Sequence, residues 1–438
     1  MRRGSVFAGF FVLLGLLPSP ASAKIYIDIT QVSDRSFPIA IVPPVRVRGD
    51  EDPNLMGEQF ARKLRDDLEL MGLFRFIEKG AFLEDPNKKG FAVPDIDFAS
   101  WTVLDVLALT KGWYRVEGKR LTIELHLFDV LLRQELTAKR YEGTVSDVPK
   151  IAHKFANEIM RVLAGEEGVF DTRIAFIGKR AGHKELYAMD FNGDNLEQLT
   201  DDRSIVLSPA WDKDGRSIYY TSFKGGKTPQ LWKYDLRRKD TSRVASMQGM
   251  VIGLSLSPVE NILATTLTKD GNSEIYLLEM DGRTRDRLTN NREIDVSASF
   301  SPDGRTLVFV STRDGSPQIY KMDRNGQNAQ RLTYKGANNT TPVWSPRGDK
   351  ILFAGMDTDG QVDVFSMNID GSGMVRLTYD SRNNEEPSWS PNGQLITFTS
   401  NRKGSYQIYV MRPDGSKQIQ LTNGSFDHLM PKWGPLNK

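Results

Sequence analysis

The sequence predicts a small N-terminal α/β domain followed by a six-bladed β-propeller of four-stranded antiparallel blades. Three observations carry this. Aromatic, Leu-Thr and Tyr-type markers all recur with one period of 44–45 residues from about residue 170 onward. Each period holds two Gly-containing turn pairs between apolar runs. Residues 24–168 lack that period and instead carry two stretches with helical spacing.

The chain opens on "MRRGSVFAGFFVLLGLLPSPASA". Arg2 and Arg3 make a basic start, and Val6 to Leu17 is apolar but too short to cross a bilayer. Pro18 and Pro20 break the run and Ala21-Ser22-Ala23 fits a cleavage site, so 1–23 reads as a secretory signal peptide. The residues after the arginine pair do not extend a twin-arginine pattern, which favours the general secretory route. Cleavage leaves Lys24 first, and the expected location is the periplasm. Lys+Arg then falls from 58 to 56 against 56 Asp+Glu, so the mature chain is close to neutral. Near-neutrality argues against nucleic acid or an anionic membrane as the partner of the whole protein. There is no cysteine, hence no disulfide and no lipidated mature start.

Residues 24–168 form the expected α/β domain. "KIYIDIT" and "IAIVPPV" are strand-like. "NLMGEQFARKLRDDLELMG" puts Phe60, Leu64, Leu68 and Met71 on one helical face and stops at Gly72. The stretch from Trp101 to Gly143 reads as three strands joined by Gly-containing turns. A second helix carries Val148, Ile151, Phe155, Ile159 and Val162 on one face, with Pro149 near its start and Gly165 at its end. "GEEGVFDT" is the expected linker.

Residues 169–438 form the propeller. The aromatic marker occupies Trp211, Phe300, Trp344, Trp389 and Trp433, with Leu256 at the one departure, "SPVEN". Leu-Thr recurs at 199–200, 288–289, 332–333, 377–378 and 421–422, and degenerates to Arg243-Val244 in one copy. The third marker is Tyr187, Trp232, Tyr276, Tyr320, Phe365 and Tyr409. The first unit has three strands and the last only one, so the two chain ends should complete one blade and remove two exposed edges. The marker aromatics are expected to fill the space between blades.

Little chemistry is visible. His126, His153, His183 and His428 are scattered without metal-ligand spacing, and no nucleophile elbow occurs. "GGKT" at Gly225 to Thr228 fails as a phosphate loop because Thr221 stands where its first glycine should be. Asp-x-x-Gly stretches such as Asp190 to Gly193 read as hairpin turns before calcium loops. No cofactor, metal or catalytic residue is expected. The competing expectation is a secreted hydrolase or lyase acting at the central pocket. The chain ends five residues after Trp433, which argues against an appended peptidase domain.

The loops that enter the aromatic-marked strands should ring the propeller's central opening. They contain Arg292, Glu293, Asp295 and Ser297; Asn338, Asn339, Thr340 and Thr341; Asn383, Asn384, Glu385 and Glu386; and Asp427 and His428. Polar groups around a rigid concave mouth suit protein recognition.

The signal, the α/β domain, six units of the pattern "WSPDG…IYxMDxDG…RLT" and the ending "MPKWGP" together resemble the TolB family of periplasmic Tol-Pal components. The resemblance implies a non-catalytic binding protein that supports outer-membrane integrity and invagination at division. It implies that Pal, the peptidoglycan-associated lipoprotein, binds one end of the propeller, through loops aligned with residues 290–297 and their neighbours. The family's residue types are not kept at each of these positions. It further implies that TolA engages the mature N-terminal segment, Lys24, Ile25, Tyr26, Ile27, Asp28, Ile29, Thr30 and Gln31. That segment alternates apolar and polar residues and suits pairing with a sheet edge, its own or a partner's. Exchange between docked and free forms on Pal binding would be an order–disorder switch.

Overall fold

The computed structural model describes residues 36–49, 55–88, 90–356, 360–379 and 381–436. The expected signal peptide and the segment Lys24 to Gln31 lie outside the described residues.

The small domain is a mixed sheet with two long helices on one face and a short helix on the other. Strand β1 (Phe37–Ile41) runs parallel to its neighbours, and β2 (Val45–Gly49) follows it. Helix α1 (Met56–Met71) buries Phe60, Leu64, Leu68 and Met71, as their spacing requires, and ends on Gly72 at φ 62°. Strand β3 (Phe74–Phe76) forms the sheet edge beside β1. Helix α2 (Phe98–Val103) is a correction to the expected run of strands: Trp101, Thr102 and Val103 are helical. Asp97 caps this turn by accepting from the Ser100 backbone N–H and hydroxyl. Burial of Trp101, whose indole N–H donates to Glu84 at 2.7 Å, overrides local β propensity. The three strands then follow as β4 (Ala108–Glu117), β5 (Arg120–Asp129) and β6 (Gln134–Thr144). The turn from β5 to β6 contains no glycine; Arg133 supplies the left-handed φ of 52°. Helix α3 (Val148–Leu163) packs against α1, with Phe60 and Phe155 6.5 Å apart, and Leu163 rather than Val162 is its buried last residue.

The expected linker is packed, not loose. Val169 and Phe170 are fully buried, and Phe170 meets Phe191 edge-on at 5.4 Å. Glu166 pairs with Arg347 at 2.7 Å, and Lys63 of α1 pairs with Asp194. The two domains therefore share one apolar core, which runs from α1 and α3 into the closing blade.

Six four-stranded sheets make the ring. Five are consecutive in sequence: 206–246, 251–287, 295–331, 338–376 and 384–420. The sixth is closed by Asp427–Trp433 lying against Arg173–Arg180, so both chain ends meet in one blade as expected. The blade with Leu256 keeps four strands and regular pairing. The degenerate copy, lacking Leu-Thr, has the longest outer strand, Asp240–Ser246, whose backbone ladder holds it instead.

Two repeated motifs meet across four of the six blade boundaries. Gly326, Gly371 and Gly415 sit in turns with φ of 82–86°, where a Cβ would lie 2.3–2.6 Å from the carbonyl oxygens of Leu288, Leu332 and Leu377. Glycine is required there twice, for its backbone angle and for the close approach of the preceding blade.

Candidate functional site

The ends of the propeller are not equivalent. In every blade the turns joining strands one to two and three to four share one end. The small domain packs on that end, through Asp194, Arg347, Asn392, Gln394 and Arg412. The loops that carry the sequence-selected residues lie at the opposite end. They stand clear of the small domain.

The structure divides those residues into three groups. Arg292 and Glu293 are exposed at the mouth, and Asn338, Thr340, Asn383, Glu385 and Asp427 are half-buried there. The Tyr406 hydroxyl donates to Glu385 at 3.1 Å and its backbone N–H to Asp427 at 3.0 Å, which fixes that sector of the rim.

Asp295, Asn339, Asn384 and His428 form the second group, and they correct the sequence expectation. All are buried, at 0–2% exposure, and sit at equivalent positions. Three of the four reach across a blade boundary. Asn339 donates to Gln318 at 2.9 Å, Asn384 to Asp363 at 2.8 Å, and His428 Nδ1 contacts Gln407 at 2.8 Å. The same acceptors take the hydroxyl protons of Thr333, Thr378 and Thr422, the threonines of the Leu-Thr marker. Those threonines also accept a backbone N–H from the third strand. Asp295 is paired with Arg313 at 3.1 Å and accepts from Asn291. Asn339, Asn384 and His428 are staples between blades, Asp295 is tied down within its own blade and entry loop, and none of the four offers a surface to a partner.

Ser297, Thr341 and Glu386 form the third group and line the central channel. With Ser208, Gly253 and Met430 they make a ring, one per inner strand, all in the left-handed region at φ of 49–66°. Each sits at a break in strand register, such as that between Glu385 and Ser388. The channel encloses about 490 Å³. Glu386 and Lys432 both face it. Burial pushes the Glu386 carboxyl up and the Lys432 ammonium down, and each charge partly offsets the shift of the other.

His428 is neutral. Burial pushes its pKa down to about 4, against a small opposing pull from Asp427. Gln407 Oε1 already accepts from Thr422, so His428 Nδ1 is the donor in their contact. The other histidines are also accounted for: His126 lies between Glu124 and Glu135, His153 contacts Asp67 at 2.6 Å, and His183 is exposed at the start of a strand. Among the described residues no group of three His, Asp or Glu is arranged to hold a metal.

Sequence reasoning missed the exposed apolar groups of this end. Tyr334 and Tyr379 are 73% and 58% exposed, and Ile294 is 46% exposed. Arg331 and Arg376 stack on the two tyrosine rings, which steadies them on the surface. The signal was present: both tyrosines directly follow Leu-Thr, one period apart.

A family model described as the TolB beta propeller domain matches residues 160–437, and one described as the TolB amino-terminal domain matches 25–136. The Tol-Pal system protein TolB of Desulfosudis oleivorans is 39% identical over 283 residues, covering 64% of each chain. That of Anaeromyxobacter dehalogenans is 39% identical over 286 residues, again covering 64% of each. The matched segments thus span less than two thirds of these curated relatives. The crystal structure of TolB from Acinetobacter baumannii superposes with a TM-score of 0.78 at 26% identity, covering 92% of this chain and 98% of that one.

Proposed function

This chain belongs to the TolB family, and from that premise we propose that it is a non-catalytic periplasmic component of the Tol-Pal system. Its propeller mouth binds Pal, and its mature N-terminal segment, Lys24 to Gln31, engages TolA. In that role it supports outer-membrane integrity and invagination at division.

The observation that carries this reading is the free mouth. Six blades present their entry loops at the end away from the small domain, and that rim mixes charge with exposed aromatic surface: Arg292 and Glu293 beside Ile294, with Tyr334 and Tyr379 on neighbouring loops. Aromatic groups in a polar rim are the usual composition of a protein-binding hot spot. The repeated staples hold the loops' bases rigid, so little order has to be gained on binding.

The test is calorimetry of the mature chain against the soluble domain of Pal and against TolA. Changing Arg292→Glu with Glu293→Lys should weaken Pal and leave TolA unaffected. Deleting Lys24 to Gln31 should abolish TolA binding and leave Pal bound. Pal binding that survives the charge reversals together with Tyr334→Ala and Tyr379→Ala would remove the mouth from the reading. Turnover of a sugar or peptide substrate, lost on Glu386→Gln, would favour the hydrolase or lyase alternative.

A further inference from the structure

The channel behind the mouth has features that docking at the rim does not use. Its wall is two-sided. Ile252, Leu254, Val343 and Met430 contribute apolar surface, and Glu386 and Lys432 contribute opposite charges on adjacent inner strands. Among the described residues, neither charge is in an ion pair. Glu386 Oε2 accepts from the Met430 backbone N–H and the Thr399 hydroxyl, while Oε1 has no hydrogen bond. The Lys432 ammonium has none either, although the Lys432 carbonyl is held by Trp211 at 2.9 Å.

Both side chains are half-buried at the wall of the hollow, so each charge is only partly hydrated and stays available to a group of opposite sign. Burial at the channel wall weakens both ionised states. A molecule bearing an ammonium and a carboxylate would satisfy both at once. The backbone adds a second, independent observation. Five of the six ring residues have side chains yet are held at positive φ, a conformation that costs on the order of 1 kcal/mol each. Strain concentrated on the lining of one cavity is characteristic of binding sites. The volume, about 490 Å³, lies in the small-molecule range of roughly 300–1,000 Å³.

We propose that the propeller channel is a binding site for a small zwitterion with an apolar side group, of amino-acid or dipeptide size. Its ammonium meets Glu386, its carboxylate meets Lys432, and its apolar part lies on Ile252, Leu254 and Val343. The site is independent of any partner at the rim.

The test is calorimetry on the full mature chain with L-leucine and L-alanyl-L-leucine as probes and N-acetyl-L-leucine amide, which lacks both charges, as the counterpart. Saturable binding of at least one zwitterion, with none of the capped compound, is the expected result. Glu386→Gln and Lys432→Met should each weaken it by roughly tenfold to a hundredfold, the worth of a charge-assisted hydrogen bond. No saturable binding of either zwitterion at millimolar concentration overturns the proposal. So does equal affinity for the capped compound, or unchanged affinity in both variants. Where a variant melts early, the comparison of capped and uncapped probes on the unaltered protein decides.

Discussion

His428 Nδ1 lies 2.8 Å from Gln407 Oε1, and the pair closes the ring in the manner that Asn339–Gln318 and Asn384–Asp363 join earlier blades. The histidine is the basic member of an otherwise amide-and-carboxylate series. It is fully buried, packed edge-on against Phe176 at 5.2 Å and Phe426 at 4.5 Å. A proton on this ring would place a charge in the seam that joins the two chain ends.

Stability should therefore fall as the pH drops through the window between the unfolded and folded values of this imidazole, 6.5 and about 4. In that window the unfolded chain binds the proton and the folded one does not, so unfolding takes up a proton and is favoured by acid. The contribution lost between pH 7 and pH 5 is about 1–2 kcal/mol. His428→Asn, which copies the residue at the equivalent positions 339 and 384, should flatten that part of the profile. Urea unfolding at the two pH values measures it, and an identical pH dependence in wild type and variant would refute the assignment.

Gly371→Ala should destabilise the protein by about 2–3 kcal/mol, combining a left-handed backbone with a clash against the preceding blade. A Cβ there would lie 2.6 Å from Leu332 O. Gly182→Ala is the control: its φ is 84° but nothing lies within 4 Å of the new carbon, so only the backbone cost of about 1 kcal/mol applies. Equal losses in thermal unfolding would mean that the contact between blades is not tight.

The fold was legible because a propeller repeats its packing, so each interface writes the same residues one period apart. Leu-Thr and the turn glycine recur together for a physical reason: they touch across the blade boundary. The site was legible only in outline. Asn383 ends the entry loop and its amide donates to the Tyr406 hydroxyl, whereas Asn384 opens the strand and its amide enters the seam, although the sequence shows two identical residues. The discriminating signal was the run of polar partners at the same register on the preceding blade: Gln318, Asp363 and Gln407. The helical turn at Phe98–Val103 was illegible because burial of Trp101 against Glu84, a long-range contact, decides it.

Loss of Phe170 tests the shared core. It is 1% exposed and joins the small domain to the closing blade through Phe191. Phe170→Ala should cost about 3–5 kcal/mol. Because the core is continuous, calorimetric unfolding of the wild type should be a single transition and that of the variant should shift as a whole or split. An unshifted melting temperature would show that the segment carries no load between the domains.

Rim and seam residues should separate cleanly when stability and binding are measured together. Asn384→Ala leaves Asp363 short of a partner and removes the acceptor of Arg402, so it should cost about 1–3 kcal/mol of stability. Tyr334→Ala and Tyr379→Ala remove exposed rings whose hydroxyls only cap the carbonyls of Arg331 and Arg376, so each should change stability by about 0.5 kcal/mol or less. Binding should show the reverse order. The two tyrosine variants should weaken Pal by about 1–2 kcal/mol each, while Asn384→Ala, measured well below its melting temperature, should retain most of its affinity. The inversion matters because it separates two explanations for polar and aromatic residues clustered at one end of a repeat protein. If the cluster exists to hold the blades together, stability and affinity will fall in the same variants. If its exposed members exist to meet a partner, affinity will fall in the tyrosine variants alone.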